Sequence, residues 1–265
     1  MRLYSIASGS SGNCIYIGEG DTHFLVDAGI SFKRIEAALN SANLSARDLN
    51  GIFITHEHSD HINGLGVISR KHHVPIYATR ETIEQLKRST SLGVIDEDLY
   101  HEIEPDSFIT MGELTVHPFS ISHDAANPVA YRFATDSKAV AVATDMGYYN
   151  EYIVNNLSGL NAVLLESNHD IRMLQTGSYP YPLKQRILSD RGHLSNEMSG
   201  KLLGRILNDN MSHVLLGHLS KENNYEALAF ETVRLEIVMS DNKYNGSEFN
   251  MQVARRDCPM DMIEL

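Results

Sequence analysis

An apolar, strand-like run, Gly51-Ile52-Phe53-Ile54, leads at once into Thr55-His56-Glu57-His58-Ser59-Asp60-His61. Three imidazoles and an aspartate fall within six residues there, and few chains can carry that density except around an ion. A β-strand turns alternate side chains to one face, so a chain leaving a sheet in extended form aims His56 and His58 the same way. Asp60 and His61, where the chain bends into a helix, reach a second point beside the first. Imidazole suits zinc, iron and other transition ions, while the carboxylate brings hard oxygen donors and partly neutralises two close cations. His56, His58, Asp60 and His61 are therefore candidate metal ligands. The metalloprotease pattern H-E-x-x-H is absent, because Asp60 stands where its second histidine would be.

The chain around this motif has 265 residues, 42% hydrophobic and 21% charged, enough for a large core in a single α/β domain over residues 1–265. Its net charge of −12 argues against a surface built to grip phosphate backbones everywhere, so any nucleic-acid contact is expected to be local. Cys14 and Cys258 show no metal or redox spacing and do not suggest a disulfide framework. No run approaches the roughly 20 apolar residues of a membrane span, and the start lacks a secretory apolar core. The expectation is a soluble cytoplasmic protein that does not engage a membrane.

Taken in order, the pattern predicts strands at Leu3–Ala7, Cys14–Ile17 and Phe24–Val26, with the turn Ser8-Gly9-Ser10-Ser11-Gly12-Asn13 between the first two. Such a turn can offer hydroxyls and backbone N–H groups to an anion or be a plain tight turn. Asp27 ends the third strand, and a helix follows from Ser31 to about Asn40. After the histidine motif come a helix over Ile62–His73, a strand at Pro75–Ala78 and a helix over Arg80–Arg88. Strands are then predicted at Tyr100–Ile103, Gly112–His117 and Val129–Ala134, the last two separated by a loop presenting His123. The unbroken apolar run Ala139–Ala143 reads as a strand buried on both faces and ends at Asp145, where an aspartate needs a cation or hydrogen bonds to compensate its burial. Further strands are Asn161–Leu165, delivering Glu166, and His213–Gly217, with His218 at its exit and His213 at the opposite end. A helical segment lies around Leu183–Leu188 ahead of His193, and a helix from Tyr225 to about Ile237 precedes a last strand, Phe249–Ala254. His72 and His73 read as surface residues.

His-x-His-x-Asp-His after a strand resembles the signature of the metallo-β-lactamase fold, and the strand-end residues Asp27, His123, Asp145, Glu166 and His218 extend the likeness over essentially the whole chain. The resemblance implies an α/β, four-layer αββα sandwich. It implies that His123 supplies the third motif in preference to His117, that Asp145 is a carboxylate shared by two ions, and that Asp27 supports the ligating imidazoles without being a ligand itself. His56, His58 and His123 would then hold one ion, and Asp60, His61 and His218 the other, with zinc or manganese as the two divalent metals. The segments at Ser8–Asn13, Glu166-Ser167-Asn168-His169-Asp170, Gly192-His193-Leu194-Ser195-Asn196 and Gly217-His218-Leu219-Ser220 are similar to the YycJ/WalJ-like branch. That likeness implies a 5′-to-3′ exonuclease on DNA. Two cations roughly 3.5 to 4 Å apart can hold a water, lower its pKa and stabilise the attacking and leaving oxygens of a phosphodiester. Asp60, His193 and Glu166 are the candidate catalytic residues, with His193 near the leaving oxygen as general acid or phosphate donor, and Ser8, Ser10, Ser11 and Asn13 are candidate phosphate contacts. A phosphodiesterase, thioesterase or lactonase acting on a small molecule is the alternative, and a non-catalytic metal-binding scaffold is the third reading.

Overall fold

The computed structural model describes residues 1–265, which form two compact units. The first comprises residues 1–120, 125–136 and 255–265; the second comprises residues 121–124 and 137–254.

In the first unit, β1 (Arg2–Ala7), β2 (Cys14–Glu19) and β3 (Thr22–Val26) form an antiparallel meander whose residues are almost all buried. Helix α1 (Phe32–Ser41) buries Ile35, Ala38 and Leu39 and carries the chain to β4 (Gly51–Phe53), which pairs parallel with β3. The helix expected over 62–73 is two helices, α2 (Ser59–Ile62) and α3 (Leu65–His72). The break falls at Asn63-Gly64 because Gly64 N–H donates to the Ala28 carbonyl at 2.7 Å, leaving no room for a side chain: a Cβ there would stand 2.2 Å from the Ile30 oxygen. Strand β5 (Ile76–Ala78), helix α4 (Arg80–Arg88) and strand β6 (Tyr100–Glu102) complete a parallel run, and a last short strand, Ile263–Glu264, pairs with β1.

A second antiparallel set follows: β7 (Ile109–Met111), β8 (Leu114–Ser120) and β9 (Val129–Ala134). The strand expected to stop at His117 runs through Pro118 to Ser120. Proline is tolerated because β7 pairs only as far as Val116, so the missing N–H faces no strand, while the Pro118 carbonyl accepts from Asp106 N–H at 2.8 Å. Between the two sets lies an aromatic core in which the Phe53 ring sits 5.1 Å from Phe24, 5.3 Å from Tyr131 and 5.7 Å from Phe133. Truncating such a ring costs about 3–5 kcal/mol, so this cluster anchors the strand that delivers the histidine motif.

In the second unit, β10 (Ala139–Ala143) is followed by α5 (Glu151–Asn156), then β11 (Ala162–Glu166), α6 (Ile171–Thr176), α7 (Tyr181–Ile187) and α8 (Asn196–Ile206). Next come β12 (His213–Gly217), α9 (Glu226–Met239) and β13 (Asn250–Val253). The strands pair parallel in the order β10-β11-β12-β13, so their carboxyl ends share one edge, and the apolar runs of the first three are buried throughout. Helix α8 does not stand out in the sequence because Gly200 and Gly204 lower its propensity. Those glycines admit its neighbour: a Cβ on Gly200 would lie 3.0 Å from the Val233 carbonyl of α9.

Candidate metal centre

The carboxyl ends of β3 and β4 position the first group of donors. Asp27 takes a left-handed backbone (φ 61°), which turns its carboxylate back toward the motif after β4. It accepts from Thr55 N–H at 2.8 Å, from the Thr55 hydroxyl at 2.9 Å and from His61 Nδ1–H at 2.7 Å. With its hydrogen donated to Asp27, Thr55 Oγ1 accepts from His56 Nδ1–H at 3.0 Å. One buried carboxylate thus fixes two imidazoles, His61 directly and His56 through a hydroxyl, and both keep Nε2 as the nitrogen with a lone pair. Burial pushes the Asp27 carboxyl up, against the pull of His61 and the Thr55 donors. Gly29 permits this closeness, since a Cβ there would stand 1.7 Å from the Asp60 carbonyl oxygen.

His56 Nε2 and His58 Nδ1 lie 3.0 Å apart, close to the roughly 3.3 Å that separates two nitrogens sharing a tetrahedral zinc. His61 Nε2 and an Asp60 carboxylate oxygen are 3.6 Å apart. The candidate phosphate contacts divide. Ser10 and Ser11 are exposed and Ser8 is buried, while the Asn13 amide is held by Gly9 and reaches His61 Nε2 at 3.1 Å. Asn13 therefore sits against a candidate ligand.

The second group sits at the carboxyl edge of β10, β11 and β12. Asp145 and His218 leave their strands in left-handed backbone (φ 62° and 56°). Glu166, wholly buried at the end of β11, accepts from His193 Nδ1–H at 2.8 Å and His218 Nδ1–H at 2.9 Å with one oxygen. Its other oxygen accepts from Met146 N–H at 2.8 Å and Leu194 N–H at 3.1 Å. Burial acts to raise the Glu166 carboxyl, but the His193 charge and the two imidazole hydrogen bonds bring it down to about 2. The residue is an ionised clamp on two rings and holds them in place; only His193, at 14% side-chain exposure against 1% for His123 and His218, reaches solvent. Asp145, Glu166, His193 and His218 each offer a ligand atom within 4.8 Å of the others. His123 donates Nδ1–H to the Gly192 carbonyl at 3.1 Å, which again leaves Nε2 as the lone-pair nitrogen, and burial lowers its pKa toward the neutral ring that a metal binds.

The competing histidines lie elsewhere. His117 packs on Phe108 with ring centres 4.4 Å apart, His72 on Phe32 at 5.5 Å, and His213 pairs with the Ser212 hydroxyl at 2.9 Å at the amino end of β12. His169 is buried, with both ring nitrogens lacking a hydrogen-bond partner and its pKa lowered by burial to about 4. Two positioning elements escape sequence reading. Thr55 is signalled only by a hydroxyl residue next to the first histidine, and the Gly192 carbonyl that sets His123 has no side-chain signal at all.

Imidazole nitrogens grouped beside carboxylates are a donor set suited to divalent transition ions. Residues 22–218 match the family model described as the beta-lactamase superfamily domain. The chain belongs to the β-lactamase superfamily. Membership of this superfamily implies divalent metal ions. Within it, the chain is 43% identical over 239 residues to exodeoxyribonuclease WalJ of Streptococcus pneumoniae serotype 2 (strain D39 / NCTC 7466), covering 90% of this chain and 89% of that one. It is 42% identical over 229 residues to exodeoxyribonuclease YycJ of Bacillus anthracis, covering 86% of each. The solved structure of Zn(2+)-bound PqqB from Methylobacterium extorquens superposes with a TM-score of 0.72 at 16% identity, over 98% of this chain and 100% of that one. The fold is the αββα sandwich of the superfamily. No helix is long and apolar enough to cross a membrane.

Proposed function

We propose that this chain is a dinuclear-metal phosphodiester hydrolase that degrades DNA from the 5′ end, with residues 1–265 acting as one domain. The observation that carries the reading is the committed state of the imidazoles. His56, His61, His123 and His218 each set Nδ1 against a hydrogen-bond partner of this chain, which fixes the ring and makes Nε2 the candidate ligand atom. Relatives above 40% identity that are named exodeoxyribonucleases support the substrate.

His56, His58 and His123 would hold one ion and Asp60, His61 and His218 the other, with Asp145 shared; zinc or manganese suits these donors. Bound there, two such ions supply a water of lowered pKa and positive charge for the attacked phosphate. The protein's own part is orientation. Asp27 and Thr55 hold His61 and His56, and Glu166 holds His218 and His193. With Nδ1–H committed to Glu166, the solvent-reaching His193 presents Nε2 to the leaving oxygen as hydrogen-bond or proton donor. Asp60, at 24% side-chain exposure, would offer a carboxylate oxygen to the ion it helps hold. Because the chain carries a net charge of −12, few phosphates should contact it, and the salt slope of binding should be shallow.

End-labelled single- and double-stranded DNA, with and without a 5′ phosphate, tests this on protein loaded with zinc or manganese. Stepwise release of nucleotides from the 5′ end is expected. Turnover of a small diester, lactone or thioester with no cleavage of nucleic acid would replace the nuclease reading with that of a small-molecule hydrolase.

A further inference from the structure

The carboxyl edge of the parallel strands in the second unit carries more than the histidine–carboxylate cluster. Of the twelve tyrosines in the chain, three are exposed: Tyr148 at 41%, Tyr181 at 73% and Tyr225 at 56%. Tyr148 and Tyr225 lie on the segments that leave β10 and β12 at that edge, and Tyr181 opens α7 in the longer segment after β11. These segments are fastened to one another. Gly147 packs so closely on the Asp190 carbonyl that a Cβ would stand 2.2 Å away, and Asp170 N–H donates to the Asn223 carbonyl at 2.9 Å. Tyr181 stands between Pro180 and Pro182 at the start of α7, so its backbone is set before anything binds. An exposed, pre-set aromatic ring contributes nothing to a core; its use is contact with a flat partner.

Charge says what that partner is. The chain is strongly acidic, yet residues 171–191 carry Arg172, Lys184, Arg186 and Arg191 against one carboxylate within the segment, Asp190, with Arg186 paired outside it to Asp124 at 3.0 Å. The Lys184 ammonium donates to the carbonyls of Gln175 at 2.8 Å and Gly177 at 2.7 Å, so its positive charge is not cancelled by them. Rings alternating with cations are the composition of a surface that stacks bases while tracking their phosphates.

Resting on the nuclease reading above, we propose that this edge is a stacking platform for an unpaired nucleic-acid strand, with Tyr148, Tyr181 and Tyr225 taking base faces and Arg172 and Lys184 the adjoining phosphates. Base stacking requires that the strand be single there, so the platform selects frayed or overhanging ends over closed duplex.

Fluorescence anisotropy of a labelled single-stranded oligonucleotide on the 265-residue protein in EDTA, where no cleavage occurs, tests the platform apart from catalysis. Tyr181→Ala and Tyr225→Ala should each weaken binding about tenfold, whereas Tyr181→Phe should bind as wild type. Hydrolysis of bis(p-nitrophenyl) phosphate, which has no bases to stack, should be unchanged in all three metal-loaded variants. Wild-type affinity in both alanine variants overturns the platform, as does an equal loss on a blunt duplex, which would make these residues backbone contacts. A wild-type protein that cleaves no DNA overturns the nuclease reading instead, a result the anisotropy measurement does not depend on.

Discussion

The two donor groups are built on opposite plans. In the first unit, His56, His58, Asp60 and His61 come from one continuous stretch that runs into α2, and a single carboxylate, Asp27, reaches back to two rings, one of them through Thr55. In the second unit, Asp145, Glu166, His193 and His218 come from four separate segments, and Glu166 clamps two rings with one oxygen and two backbone N–H groups with the other. A group on one continuous stretch can be set by local geometry. A group drawn from several strand ends exists only when a sheet is assembled in register, so its carboxylate must do the aligning.

The largest effect should come from the ligands themselves. His58→Ala or Asp60→Ala should reduce hydrolysis to background and lower the metal content measured by plasma emission; full activity in the Asp60 variant would remove that residue from the centre. Glu166→Gln should come next, lowering kcat about 10- to 100-fold. All four partners of Glu166 are donors, so an amide must turn its NH2 against at least one of them, and a buried donor left unmet costs about 1–3 kcal/mol of stability in thermal unfolding.

Asp27→Asn should be milder than Glu166→Gln, because an amide oxygen kept on His61 Nδ1–H and the Thr55 hydroxyl leaves only Thr55 N–H facing the new NH2. Steady-state rates in the reverse order would break the contrast between the two plans. Smaller again is Thr55→Val, which removes the hydroxyl between Asp27 and His56 while His61 keeps its direct hold on Asp27, and should cost less than about tenfold in kcat, with Thr55→Ser restoring the rate. At the bottom, His72→Ala and His213→Ala should match wild type in both rate and metal content, since neither ring faces a donor group.

This contrast also explains how far the sequence could be read. His56 to His61 announce themselves because their spacing is local, and the apolar runs that become β1 to β4 read directly as buried strands. His123, Asp145 and His218 are visible only as polar residues at strand ends, and the resemblance to a known family was needed to give them roles. Glu166 reads in the sequence as a candidate catalytic residue near His193, and nothing in a linear pattern shows that two distant rings converge on one of its oxygens. Helix α8 was hidden by the glycines that let α9 approach it, and the break at Gly64 depends on a carbonyl of residue 28. Each miss involves a contact between segments far apart in the chain, whereas each success rests on neighbours.

The left-handed backbone at Asp27, Asp145 and His218 sets durability against purpose at three addresses. Glycine would relax each of them by on the order of 1 kcal/mol while deleting the donor or the clamp. A lineage bred only for heat tolerance would have an incentive to erode these positions, and would become a sturdier protein with nothing left to hold.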